Sequence, residues 1–254
     1  MMINLQKSTT YHRNNCAVFL KTKEQFGGLS NMAGGYPLFI NGIRIPTSEA
    51  LYQACRFPHK PEIQKLILGQ ASPMTAKMVS KPHRKDSRTD WDKVRVEIMH
   101  WCLRVKLAQH WETFGKLLLS TGERPIVEEA SRDPFWGAKP TNAEILIGTN
   151  VLGELLTELR EELKSPDTDK LRIIEPPTLA HFLLIEKPIG TIESPKSKPK
   201  LTMASAAYEV SALNSEMTSI TTSSIKHEQV TVQELADATF TPAFSAQYQL
   251  RLPF

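Results

Sequence analysis

Cysteine is scarce in this 254-residue sequence. Only Cys16, Cys55 and Cys102 occur, an odd number with no metal-ligand spacing between them. A disulfide framework or a zinc site is therefore not expected, and a reducing, cytoplasmic setting fits. The histidines stand singly, with no His-Glu-x-x-His pair, so no metal is expected either. No apolar run reaches the ~18–20 residues needed to span a bilayer. The opening MMINLQKSTTYHRNN lacks the apolar core of a signal peptide. Residues 26–35 are rich in glycine but have neither the Walker A nor the dinucleotide-binding spacing. Internal repeats are missing as well. These absences lead to the expectation of a soluble protein with no membrane partner and no cofactor.

What is present suits a globular core, because 41% of residues are hydrophobic and 23% charged. The net charge of +4 would help draw in a phosphate-bearing ligand, without by itself signalling nucleic-acid binding. A short apolar run at 17–20 reads as a strand. Residues 38–40 and 43–45 flank Asn41-Gly42, a strong hairpin signal. Thr47 is the expected N-cap of a helix over 48–57. One or two short helices are expected over 61–79, then a basic loop with Lys81, Arg84, Lys85 and Arg88. A long helix is predicted from Trp91 to about His110, capped by Thr89 or Asp90. Its apolar stripe is Val94, Ile98, Cys102 and Val105, with Met99 alongside and Lys106 at the edge. A helix over 112–120 should stop at Gly122. Residues 131–150 read mostly as loop, 150–164 as an amphipathic helix and 179–185 as a further strand.

The whole is a compact, mostly helical α+β domain over 15–165 with a small N-terminal β hairpin or sheet. An extension over 166–190 is expected to pack on it. From 191 to 225 thirteen residues are Ser or Thr, so 191–254 reads as a largely disordered tail.

Three constellations have a chemical reading beside a plain one. Glu49 in a first helical turn complements the helix dipole. It is not the far half of a capping box, which would fall on Ala50 or Leu51. Glu49 is thus free for chemistry, on one stripe with Gln53 and Arg56. In Asp133-Pro134-Phe135-Trp136-Gly137 the aromatics either plug the core or offer Trp136 to a base and Asp133 to a ribose hydroxyl. Lys106 either snorkels to water or, if buried, has a lowered pKa that makes its amine nucleophilic. Trp91 is core or a stacking platform.

Together these segments resemble the NADAR (YbiA-like) family over residues 19–163. The resemblance rests on Gly28-Leu29-Ser30-Asn31, on residues 47–54, and on Asp90-Trp91, Lys106, Thr121-Gly122 and Val127-Glu128. Asp133-Pro134-Phe135-Trp136-Gly137 and residues 148–153 complete it. It implies an N-glycosidase of the ADP-ribosyl glycohydrolase type. The implied substrate is ADP-ribose on guanine of nucleic acid, or else a small phosphorylated N-riboside of riboflavin synthesis. Glu49, Lys106 and Asp133 are the implied catalytic residues. Gly28, Ser30, Asn31, Gln53, Arg56, Trp91, Trp136, Gly137 and Asn150 are the implied substrate contacts. An imine role for Lys106 is an added expectation. Many family members carry His and Lys where this chain has Ala50 and Arg56, and guanidinium is not a nucleophile at working pH. A non-catalytic ADP-ribose-binding module, or a nucleic-acid-binding surface over 81–95, are the rival readings.

Overall fold

In the computed structural model, which describes residues 7–195, the chain begins with two short strands, β1 (Thr9–His12) and β2 (Ala17–Phe19). The expected hairpin follows as β3 (Leu38–Ile40) and β4 (Ile43–Ile45), with Leu38 opposite Ile45. Asn41 and Gly42 turn between them at φ 52° and 78°, the paired positive values a type I′ turn needs. The helix α1 (Ser48–Cys55) starts at Thr47, whose hydroxyl accepts from the Ala50 amide at 3.3 Å. All eight of its residues are buried. Then come α2 (Pro61–Leu68) and α3 (Pro73–Ser80), each with proline in its first turn, where a missing N–H costs nothing. The basic stretch is a 3-10 segment, Lys81–Asp86.

The longest helix is α4 (Trp91–Gln109). Asp90 stands at its N-cap, but its carboxylate binds Arg88 at 2.6 and 3.0 Å and does not cap the helix. Its burial is wider than one stripe. Trp101, Leu103, Leu107 and Ala108 are buried together with the expected positions, so the C-terminal half is enclosed nearly all round. Lys106 lies inside this enclosure with no exposed surface, not at an edge. Next are α5 (Trp111–Leu119), ended near Gly122 at φ 64°, and β5 (Ile126–Glu128), which runs parallel to β2.

Residues 131–150, expected mostly as loop, contain β6 (Lys139–Pro140) and β7 (Ile145–Gly148). They form a three-stranded sheet in the order β1-β7-β6. The partner strand lies more than 130 residues earlier, so no local pattern announces the pairing. Last of the helices is α6 (Val151–Lys164), with Leu152, Leu155, Leu156 and Leu159 buried as expected. Leu183–Leu184 pairs with Lys187–Pro188, and Ile173–Ile174 with Ile192–Glu193. Residues 191–195 therefore belong to the domain and not to a tail. The tail expectation from 196 onward lies outside the described residues. Among the described residues no helix is long and apolar enough to cross a membrane.

One junction organises the C-terminal part. Asn150 adopts a left-handed conformation, φ 53°, just before α6. Its side-chain amide donates to Ile126 O at 2.8 Å, and its oxygen accepts from the Glu128 amide at 3.0 Å. The first amides of α6 are satisfied by the preceding loop, Val151 N to Phe135 O and Leu152 N to Trp136 O, both at 3.0 Å. Gly153 lets α6 lie against Ile126 O, where a Cβ would collide. Asn150→Ala would leave two strand groups unpaired. We expect it to lower the unfolding free energy by about 2 kcal/mol or more, read by urea denaturation at unchanged m-value. A loss below about 0.5 kcal/mol would overturn this role.

Candidate active site

Because Thr47 caps α1, the carboxylate of Glu49 in the first turn is free of capping duty and lies on the stripe it shares with Gln53 and Arg56. The Glu49 amide donates to Asn31 O at 3.1 Å. Its carboxylate accepts from Gln53 Nε2 at 3.0 Å and lies 3.9 Å from Lys77 Nζ on α3. Gln53 in turn accepts from Ser80 Oγ at 2.9 Å. Glu49 is 6% exposed, and this network orients its carboxylate.

Glu49 opens into a cleft of about 360 Å³, within the ~300–1,000 Å³ usual for ligand sites. Ser30, Asn31, Gln53, Arg56, Trp91, Asp133 and Trp136 line it with Glu49, so most of the expected site residues converge. An aromatic wall runs through Trp91, Tyr52 and Trp136, with centroid separations of 5.1 and 5.8 Å. Trp91 is not a free platform, since Tyr52 packs at it and the Arg56 guanidinium covers its ring at 4.7 Å. Asp133 accepts from the Trp136 amide at 3.2 Å, which fixes the turn that presents the indole.

Among the lining residues outside the expected set are Glu128 and Arg95. Glu128, at the end of β5, is a second carboxyl in the cleft. Burial raises its pKa to about 7, with the Glu49 charge adding and Lys77 opposing. The sequence holds a signal for it only as the last residue of the Val127-Glu128 pair, because its position depends on β5 meeting α6. Arg95, on α4, lies over Phe135 at 4.0 Å, and among the described residues its Nε has no hydrogen-bond partner. Arg56, Arg84 and Arg95 converge. Burial lowers the Arg56 pKa, and the facing Arg84 and then Arg95 lower it further. Like charges held this close suit an anion such as phosphate.

Four expected site residues do not reach the cleft. Lys106 is fully buried, donating to Gly28 O at 2.6 Å and Ser30 O at 3.1 Å, with Tyr36 and Phe114 rings beside it. Gly28 is there for packing, since a Cβ would meet Leu117 and the Tyr36 hydroxyl at 2.5 and 2.7 Å. Gly137 similarly lies against Glu128 O and Ala130. Asn150 is the β5 clamp described above, with no exposed surface. Lys106 and Asn150 hold the lining residues Ser30 and Glu128 from behind the cleft. A larger groove of about 540 Å³, lined in part by Pro37, Phe39, Asn41 and Gln109, has neither paired carboxyls nor converging cations and suits this chemistry less.

A family model described as the NADAR domain matches residues 18–164. The chain is 32% identical over 166 residues to N-glycosidase YbiA of Escherichia coli, covering 64% of this chain and 98% of that protein. It is 31% identical over 149 residues to an N-glycosidase of Nostoc punctiforme, covering 58% and 92%. It is 32% identical over 148 residues to a riboflavin biosynthesis protein of Vibrio vulnificus, covering 58% of this chain and 38% of that one. The NMR structure of E. coli YbiA matches at a TM-score of 0.50 and 32% identity, over 60% of this chain and 90% of that one.

The environment of Glu128 makes a measurable statement. Its raised pKa means that the folded state holds a proton the unfolded state has lost. Its contribution to stability therefore falls as pH rises from about 4.5 to about 7. Carbon-13 NMR of the Glu128 carboxyl should show a midpoint of about 7 that moves down in Glu49→Gln, because a neighbouring negative charge is removed. An unchanged midpoint would mean that the two carboxyls do not interact.

Proposed function

The chain belongs to the NADAR family, and from that premise we propose that it is an N-glycosidase, a hydrolase that cleaves a phosphorylated N-riboside. The observation that carries the reading is the pairing of Glu49 with Glu128 in one cleft beside converging guanidinium groups. N-riboside cleavage builds positive charge on C1′ and the ring oxygen, as in other glycosidic reactions. Glu128, part protonated at neutral pH, gives its proton to the leaving base as the C1′–N bond breaks. Glu49 faces the cationic sugar and takes a proton from the water that adds at C1′. The products are the free base and the sugar with a hydroxyl at C1′. Arg56, Arg84 and Arg95 hold phosphate oxygens, and Trp136 offers a face to the base.

ADP-ribose joined to guanine of nucleic acid is the substrate we put first, because three guanidinium groups suit a diphosphate better than a single phosphate. The cleft volume favours a second reading. It fits a ribosyl phosphate with its base, as in the phosphorylated intermediates of riboflavin synthesis, and relatives in Vibrio vulnificus and maize are named for that synthesis. An imine route, expected on Lys106, needs an amine that sugar can reach. Among the described residues lining the cleft, Lys77 supplies it, 3.9 Å from Glu49.

Guanine-ADP-ribosylated oligonucleotide and the flavin-pathway intermediates, incubated with the protein in parallel, identify the substrate by which one loses its base. On that substrate, Glu49→Gln should lower kcat by about 10²–10⁴-fold while ADP-ribose still binds by calorimetry. Binding without turnover in the unaltered protein would instead indicate a binding module. The same substrate should show kcat/KM falling above pH about 7, as Glu128 loses its proton. A rate that climbs through that range would remove Glu128 as the acid. Borohydride should trap sugar on Lys77 if the imine route operates, and hydrolysis without any adduct excludes it.

A further inference from the structure

We infer that Lys106 is a positioning residue: it holds the turn of Gly28, Ser30 and Asn31 so that Asn31 offers one acceptor to Glu49 and another to the ligand. The second half of this rests on the cleft being the site of the proposed hydrolysis. The path is continuous in bonds. Lys106 Nζ donates to Gly28 O and Ser30 O at 2.6 and 3.1 Å. Asn31, next in the chain, accepts from the Glu49 amide at 3.1 Å through its backbone oxygen. Asn31 Nδ2 donates to Met99 Sδ at 2.7 Å, which fixes the amide, and among the described residues Oδ1 has no hydrogen-bond partner.

Asn31 is 3% exposed and lines the cleft. A buried amide oxygen without a donor is costly in the empty protein and is satisfied by a hydroxyl or N–H of a ligand. This gives the cleft a requirement for a hydrogen-bond donor, such as a ribose hydroxyl, beside Glu49.

A lysine suits this task better than an apolar residue. The Tyr36 and Phe114 ring centroids, 4.5 and 4.3 Å from Nζ, support a cation that has no carboxylate beside it among the described residues. Burial lowers its pKa to about 7, but the neutral amine still has two N–H donors, so both carbonyls stay held in either state. Methionine fills the same space and leaves both carbonyls without this donor. An imine on Lys106 would instead require a sugar to reach an atom with no exposed surface.

The test compares Lys106→Met, Asn31→Ala and the double variant. Hydrogen exchange should quicken in Lys106→Met at the amides of Ser30, Ala33 and Glu49 and stay unchanged in α6. This readout needs no substrate, so it stands even if no N-riboside is hydrolysed. With ADP-ribosylated guanosine, each single variant should lose about ten-fold in kcat/KM, and the double should lose no more than the worse single. Lys106→Gln, which keeps two N–H donors on a shorter arm, should recover part of the loss, and if Lys106→Met does not fold, Lys106→Gln should show a smaller quickening at the same amides and a smaller loss in kcat/KM. Unchanged exchange at Glu49, losses that multiply in the double variant, or sugar trapped on Lys106 by borohydride would each overturn the assignment.

Discussion

The side chain of Asn150 is the joint on which the cleft depends. With one amide it binds both Ile126 O and the Glu128 amide, so the end of β5 cannot move without α6. The loop from Asp133 to Gly137 is held at the same place, its Phe135 and Trp136 carbonyls accepting from the first amides of α6. A left-handed residue is tolerated here because asparagine is among the few side chains that adopt that region with little strain. Glu128, Asp133 and Trp136 thus face the cleft as one rigid unit, opposite the α1 face that carries Glu49.

The cleft is a balance of charges that the protein does not fully pair. Lys77, Arg56, Arg84 and Arg95 share it with Glu49, Asp92, Glu128 and Asp133. Few of these meet at hydrogen-bond distance. Arg56 binds Ser87 Oγ at 2.7 Å and lies on Trp91, and Arg95 is 4.0 Å from Asp92. Preorganised charges without mutual partners are what a site needs if their partner is a ligand, since no internal bond must break on binding. Arg56 supplies a cation with a planar stacking surface over Trp91, but no nucleophile.

Much of the Glu49 side of the site was legible in the sequence because its causes are local. Thr47 followed by two polar residues fixes a cap, the cap fixes the helix phase, and the phase puts Glu49, Gln53 and Arg56 on one stripe. The Asn41-Gly42 turn is local in the same way. Glu128 and Arg95 were not legible as site residues. Glu128 ends a three-residue strand whose neighbours come from β2 and α6, and Arg95 is one of several cations on α4. Lys106 was legible as unusual, but its full burial was not. Spacing places a lysine near a stripe, while only the packing of Tyr36, Phe114 and the Gly28 and Ser30 carbonyls around it shows that the amine faces a backbone turn.

By itself the sequence determined the family, the order of helices and the one carboxylate placed by its own helix cap, since each is written in short-range pattern. The tertiary structure alone decided that Glu49 has Glu128 as a second carboxyl, and that Lys106, Gly28, Gly137 and Asn150 build the cleft from behind. The physical reason is that burial and electrostatic environment belong to the assembled fold. A raised carboxyl pKa or an ammonium enclosed by carbonyls and rings arises only when segments distant in the chain are packed together.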